Sequence, residues 1–233
     1  MNKISSRAIF PRNLWSDTIR RSSKLSGLFL IIDQDLLRVR PERAMSRALS
    51  AGVRCFQYRN KHDSRKIIYE ISAQLASTAR KAGALFIVND HTDIAIAVDA
   101  DGVHLGQDDL PIDCAQKLLP KGKIIGISTH NIVQAQAAET AGADYIGFGP
   151  LFKTATKDAG AVQGIERLLA IRKTVSLPVI AIGGINHGNI PEVMQAGADG
   201  VAVISAVMSA PDIKKAAQDM LRIIHESEEQ REK

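Results

Sequence analysis

Cysteine is scarce in this chain. Its 233 residues hold two, Cys55 and Cys114, too few for a disulfide scaffold or a cysteine-rich zinc site. Long apolar runs are missing too: nothing approaches the roughly 20 residues that a membrane-spanning helix needs. No membrane partner is expected. The first 26 residues lack the apolar stretch of a secretory signal, so the expected location is cytoplasmic. Compositional extremes are absent as well. Hydrophobic residues make up 45% and charged residues 24%, which excludes collagen-like, mucin-like and wholly disordered chains. The length suits one large α/β domain or two small ones, with a sizeable core.

The net charge of +5 invites a nucleic-acid reading until the charge is located. Lys3, Arg7, Arg12, Arg20, Arg21 and Lys24 face Asp17 alone in residues 1–26, which accounts for the whole excess; the rest holds 24 basic and 24 acidic residues. A nucleic-acid binder would carry its basic stripe on the folded domain, so no nucleic acid is expected as a partner. The Arg- and Ser-rich extension 1–26 also has the composition of an organelle transit peptide, but the reading preferred is a disordered or loosely docked arm. The expected domain spans 27–225, followed by a polar tail at 226–233.

One pattern recurs between these ends: a helical stretch, a small-residue turn, then a short apolar run. Ala51-Gly52-Val53 precedes Cys55-Phe56, and Ala82-Gly83-Ala84 precedes Leu85 to Val88. Ala141-Gly142-Ala143-Asp144 and Ala196-Gly197-Ala198-Asp199 repeat the motif. Glycine just past a helix takes the left-handed conformation that closes it, and the apolar run is a strand buried on both faces. Eight strands follow, starting near Gly27, Val53, Ala84, Gly102, Lys123, Asp144, Pro178 and Gly200. Ser64 to Lys81 shows the helical spacing of Ile67, Ile68, Ile71, Leu75 and Ala79. The fold class is α/β, a single (β/α)8 TIM barrel. A doubly wound sheet would want a glycine fingerprint after its first strand, and Ile32-Asp33-Gln34-Asp35 is not one.

Barrel active sites lie in the loops after the strands, and reactive residues cluster there. Gln57, Arg59 and Lys61 alternate along the second strand and converge on one ligand if the strand runs that far. Two such cations suit a polyanion, Arg binding phosphate oxygens through its fork; the alternative is an ordinary basic loop. Asp90 and Asp109 end neighbouring strands and suit a Mg2+ completed by phosphate oxygens and water; the alternative is helix capping. Gly183-Gly184 and Ile204-Ser205 follow strands seven and eight, where barrels build phosphate sites from backbone N–H groups. Two anionic centres result, for two phosphorylated substrates or one long one. His104 has apolar neighbours and reads as structural. His62, His187 and His225 read as surface residues, and His130, beside Ser128 at the mouth, carries a catalytic hypothesis. Cys55 and Cys114 do not resemble activated thiols.

Seven motifs in order carry a family resemblance: Gln57-Tyr58-Arg59-Asn60-Lys61, Asn89-Asp90, Asp101 to Asp109, Gly126 to His130, Gly149 to Lys157, Pro178 to Gly184 and Val203 to Ser205. From about Gly27 to His225 the chain resembles the thiamine-phosphate synthases. The resemblance implies a transferase that joins 4-amino-5-hydroxymethyl-2-methylpyrimidine diphosphate to a thiazole monophosphate, releasing pyrophosphate and thiamine monophosphate. Its partners would be small phosphorylated molecules, and a homo-oligomer is left open. Carried across by motif, Gln57, Tyr58, Arg59, Asn60, Lys61, Asn89, Ser128 and Lys157 hold the pyrimidine diphosphate, with His130 also at the substrate. Asp90 and Asp109 hold Mg2+, and Thr154, Ala155, Thr156, Gly184, Ile204 and Ser205 hold the thiazole phosphate. Arg59, Lys61, Ser128 and Lys157 are the expected catalytic set.

The chain departs from the family pattern at Asn60, where Glu is common, and at His91. The missing carboxylate is expected to leave Arg59 and Lys61 less well oriented, so Asn60→Glu should leave activity unchanged or raise it. Two rivals remain. A thiazole tautomerase paralogue would use a histidine near His130 and need neither the carboxylate pair nor the cations. A barrel that binds thiamine intermediates without turnover would show binding but no pyrophosphate release.

Overall fold

The computed structural model describes residues 25–154 and 161–231. Expectations for most of the basic extension and for Ala155, Thr156 and Lys157 lie outside the described residues. Eight strands form: β1 Gly27–Asp33, β2 Cys55–Arg59, β3 Leu85–Asn89, β4 Gly102–Leu105, β5 Ile124–Thr129, β6 Tyr145–Phe148, β7 Val179–Ile182 and β8 Gly200–Val203. They pair in parallel in sequence order, and β8 closes onto β1 through Gly27 to Leu30 against Gly200 to Val203. Each begins within two residues of the start that the repeat predicts. The expected (β/α)8 barrel is the fold.

Among the described residues seven α-helices join the strands, α1 Pro41–Ala51, α2 Arg65–Lys81, α3 Thr92–Ala97, α4 Ile112–Leu118, α5 Ile132–Thr140, α6 Gly164–Arg172 and α7 Ile190–Gln195, and two follow β8, α8 Ser205–Met208 and α9 Ile213–Arg231. The repeat has a physical cause. Gly52, Gly83, Gly142 and Gly197 all have positive φ, which lets the chain leave a helix and enter the next strand within a few residues. Aspartates after the turns at Asp99, Gly142 and Gly197 pin strand starts. Asp101 accepts the Phe86 N–H at 2.9 Å, Asp144 that of Ile125 at 2.7 Å and Asp199 that of Val179 at 2.8 Å. Ser64 caps α2 by accepting the Ile67 N–H at 3.4 Å, and Ile68, Leu75 and Ala79 bury its apolar stripe.

Alternation along the strands makes two cores. Leu28, Leu30, Ile32, Phe56, Phe86 and Val88 face the helices, whereas Phe29, Ile31, Cys55, Leu85, Ile87 and Tyr145 fill the lumen. Climbing the lumen face, apolar residues give way to polar ones: Cys55, Gln57, Arg59 on β2; Leu85, Ile87, Asn89 on β3; Ile124, Gly126, Ser128 on β5. The barrel thus has a dry floor and a polar mouth, because period-two alternation carries both along a single face.

The carboxyl end differs from expectation. The tail expected from Glu226 is the last stretch of α9, which runs through Arg231. Arg222 and Glu226 pair at 2.7 Å, His225 and Glu229 at 3.3 Å, and Arg231 Nη1 donates to the Ala198 carbonyl at 3.0 Å. Pairs four residues apart sustain a helix that polar composition alone does not reveal.

Candidate active site

A cavity of about 80 Å³ lies at the mouth, where Gln57, Arg59, Asn89, His104 and Ser128 form its polar side and apolar residues such as Phe29, Ile31, Ile180 and Ile182 form the rest. Gln57 and Arg59 share the inner face of β2, as their alternation predicts. Arg59 reaches across to Asp33, its register partner on β1, with Nη1 and Oδ2 at 2.5 Å. The strand stops at Arg59, so Lys61 approaches from the loop instead, where its ammonium pairs with Asp90.

Asp90 follows β3 with φ of 64°, and its N–H donates to the His104 carbonyl at 2.8 Å. Asp109 Oδ2 accepts the Gly106 N–H at 2.7 Å. The two carboxyls lie against each other. Burial pushes Asp90 up, and the Asp109 carboxyl adds to the rise against the pull of Lys61. At Asp109 burial opposes ionisation, yet the Asp90 carboxyl, the Gly106 N–H and Lys61 hold it below the usual range. Two adjacent carboxyls behave this way when they share a proton that a cation could replace. Among the described residues no third His, Cys, Asp or Glu completes a metal cluster. A pair of hard oxygen ligands with room for phosphate and water fits Mg2+ and would not fit a structural zinc.

The charge balance points the same way. Arg59 and Lys61 face Asp33, Asp90 and Asp109. With all five ionised, these five groups together are net negative and disfavour a diphosphate beside them. A divalent cation on the carboxylate pair reverses that sign.

The opposite side of the mouth is built from backbone. Gly183 and Gly184 follow β7 with φ of 93° and 68°. A Cβ on Gly184 would stand 2.7 Å from the Lys153 carbonyl oxygen and from Phe152 Cβ, so only glycine lets the loops after β6 and β7 pack this closely. Asn189 Nδ2 donates to the Gly184 carbonyl at 3.0 Å and steadies the turn. Ile204 is the residue before α8, and Ser205 is its first, where helical N–H groups have no intrahelical acceptor. Thr154 stands half-buried at the end of the described loop after β6.

Some expected residues do not join them. Tyr58 points outward into the shell, where burial pushes its hydroxyl up to about 12. Its hydroxyl donates to Gln34 Oε1 at 3.1 Å. Asn60 is buried and bonds neither cation. Its Nδ2 donates to the Tyr58 hydroxyl and to Asp63 Oδ2, each at 2.9 Å, and its Oδ1 accepts the N–H groups of His62 and Asp63 at 3.3 and 3.1 Å. Both residues shape the loop from outside the cavity. His130 Nδ1 bonds the Gly149 carbonyl at 2.6 Å, a tie between the loops after β5 and β6.

The expectation for Asn60→Glu changes accordingly. Glutamate would set a carboxylate against Asp63 in a space 4% exposed and would lose two donated hydrogen bonds. A cost of about 1–3 kcal/mol is expected, read as a Tm fall of about 2–4 °C per kcal/mol. Adding Asp63→Asn should recover part of it. An unchanged melting curve would show that the loop tolerates the charge.

Sequence reasoning also missed residues. Asp33 orients Arg59, and His104 lines the cavity with Nε2 2.9 Å from Ser128 Oγ and Nδ1 2.9 Å from the Tyr145 hydroxyl. Asp33 had a signal, an acid ending a strand beside one that ends in arginine; Tyr145 had none.

Comparison with known proteins agrees with this geometry. The model of a family described as thiamine monophosphate synthase matches residues 28–207. A thiamine-phosphate synthase of Chloroflexus aurantiacus is 46% identical over 204 residues, covering 87% of this chain and 94% of that protein. One of Pyrococcus furiosus is 44% identical over 200 residues, covering 85% and 95%. The solved thiamine phosphate pyrophosphorylase from Pyrococcus furiosus superposes with a TM-score of 0.82 at 41% identity, over 88% of this chain and 98% of that one. With this barrel, this sequence likeness and its extent, the chain belongs to the thiamine monophosphate synthase family.

Proposed function

We propose that this chain is a transferase that joins the aminopyrimidine diphosphate to the thiazole monophosphate, releasing pyrophosphate and forming thiamine monophosphate. One observation carries the reading. The Asp90–Asp109 pair with Arg59 and Lys61 stands on one side of the mouth, the Gly183-Gly184 and Ile204-Ser205 backbone on the other, and between them a small, mainly apolar cavity with polar side chains on its rim. Such a mouth takes two anionic groups with a ring between them.

In this reading Gln57, Asn89 and Ser128 orient the pyrimidine. Arg59 and Lys61, joined by Lys157, grip the diphosphate. Thr154, Ala155, Thr156, Gly184, Ile204 and Ser205 hold the thiazole phosphate. Asp90 and Asp109 are the residues that would hold Mg2+, which when bound offsets charge on the departing pyrophosphate. The step is dissociative: the carbon–oxygen bond to pyrophosphate breaks first, and the methylene cation left on the pyrimidine is captured by the thiazole nitrogen. The bond electrons leave with pyrophosphate, where Arg59 and Lys61 stabilise them. The amino group of the pyrimidine feeds the cation, so no protein nucleophile takes part. Holding both rings in line supplies the remaining acceleration. We place the reaction in the cytoplasm, since both substrates are small, charged and water-borne.

The test is pyrophosphate release by the full chain given both substrates, with and without Mg2+. Release that needs both substrates and the metal, matched by thiamine monophosphate, is expected. Binding without release would favour a silent binder, and turnover of a thiazole carboxylate phosphate alone would favour the tautomerase.

A further inference from the structure

The loop that carries Asp109 begins where β4 runs out. β4 ends at Leu105, opposite Ile127, while β5 continues to Thr129. Carbonyls alternate in direction along a strand, so the last residues of β5 face different neighbours. The Gly149 N–H donates to the Thr129 carbonyl at 3.2 Å, which turns that carbonyl toward β6. The Ser128 carbonyl, one residue earlier, is turned toward β4, which has already ended. Gln107 meets it there: its Nε2 donates to the Ser128 carbonyl at 2.6 Å. A side chain thus continues a ladder that the backbone has left.

The rest of the turn is closed on itself. The Gly106 N–H donates to Asp109 Oδ2 at 2.7 Å, and a Cβ on Gly106 would stand 2.9 Å from that oxygen. Asp109 is therefore held within its own turn, and Gln107 ties the turn to the strand that presents Ser128 to the cavity. Gln107 itself is exposed and stands outside the cavity. An exposed amide on a carbonyl adds little to stability. Its effect is on geometry.

We propose that Gln107 is a positioning residue that sets the angle between the pyrimidine ring and its departing diphosphate. The inference rests on the reading above, in which Ser128 orients the ring and Asp109 holds Mg2+ against the diphosphate. The methylene ionises readily only when its carbon–oxygen bond stands out of the ring plane. Only then do the π electrons fed by the amino group reach the carbon that loses the bond pair to pyrophosphate. Ser128 helps to set the plane and Asp109 the place of the leaving group. Gln107 joins the two. Inorganic pyrophosphate has no ring, so its binding does not register this angle.

The experiment pairs steady-state kinetics with calorimetry on the full chain, using inorganic pyrophosphate and Mg2+ as the ringless probe. Gln107→Met keeps the length of the side chain and loses the donor. Its kcat should fall about 10²-fold, the cost of misplacement by about 1 Å. KM for the pyrimidine diphosphate should move less than about threefold, the pattern of an interaction that counts only in the transition state. Tm and the affinity for pyrophosphate with Mg2+ should match wild type. Gly106→Ala is the contrast. It displaces the Asp109 carboxylate itself and should weaken pyrophosphate binding about tenfold or more in Mg2+, and not without it. A Gln107→Met kcat within twofold of wild type overturns the inference and leaves the reaction standing. So does a loss of pyrophosphate affinity as large as the loss of kcat, because Gln107 would then build the loop rather than aim it. Wild type that releases no pyrophosphate from the two substrates overturns the reaction and the inference with it.

Discussion

Replacing Asp90 by Asn, or Asp109 by Ala, is expected to lower kcat/KM at least about 10³-fold without unfolding the chain. A bound divalent ion contributes several kcal/mol of transition-state charge stabilisation, and each 1.36 kcal/mol is tenfold in rate. Asn is the choice at position 90 because the backbone there has φ of 64°, which Asn tolerates and Ala does not. Stability should move the other way. Asp90 is held above its ordinary pKa by burial and by the Asp109 carboxyl, so ionising it in the fold costs stability at neutral pH. That cost shrinks as pH falls through the raised value, and Asp90→Asn removes it. The Tm of the variant should equal or exceed that of wild type while turnover is lost. Added Mg2+ should raise the wild-type Tm by mass action and leave both variants unmoved. Full activity of either variant in EDTA would remove the carboxylate pair from the metal site.

The architecture was legible because its signals are local. Each Ala-Gly turn needs only its own glycine to take positive φ, and the aspartates at 101, 144 and 199 bond strand starts in the unit before. The loops after the strands were legible for the same reason, since strand ends can be counted off the repeat. What escaped depends on register. Asp33 becomes the partner of Arg59 only when β1 and β2 align those two positions. Tyr145 meets His104 only because β4 and β6 both face one lumen across β5. Contiguity misled in the other direction. Tyr58 and Asn60 sit inside the Gln57-to-Lys61 motif, yet alternation sends Tyr58 into the shell, and the strand end turns Asn60 toward Asp63. The helix after Glu226 was hidden because polar side chains four residues apart say nothing until their signs are paired.

Asp33 is where stability and catalysis should separate most clearly. Its side chain is 4% exposed and that of Arg59 is 13% exposed, so this ion pair is largely out of water. Removing one partner of such a pair leaves an uncompensated charge at a cost of about 3–5 kcal/mol. Asp33→Ala should therefore lower Tm by about 2–4 °C for each kcal/mol. Arg59 would lose the contact that aims it at the diphosphate, and misplacement by about 1 Å costs on the order of 10²-fold in rate. Inorganic pyrophosphate with Mg2+ should restore Tm more in the variant than in wild type, because the bound anion supplies the charge that Asp33 no longer does. Arg59→Met removes the other partner and should be as destabilising, because it strands the buried Asp33 carboxylate. The double variant Asp33→Leu with Arg59→Met exchanges a buried ion pair for apolar contacts, a change that is often neutral or stabilising. It should melt near wild type and yet release no pyrophosphate. If Asp33→Ala kept both wild-type Tm and wild-type kcat/KM, the pair would neither support the barrel mouth nor aim the guanidinium, and Arg59 would have to be oriented by the diphosphate itself.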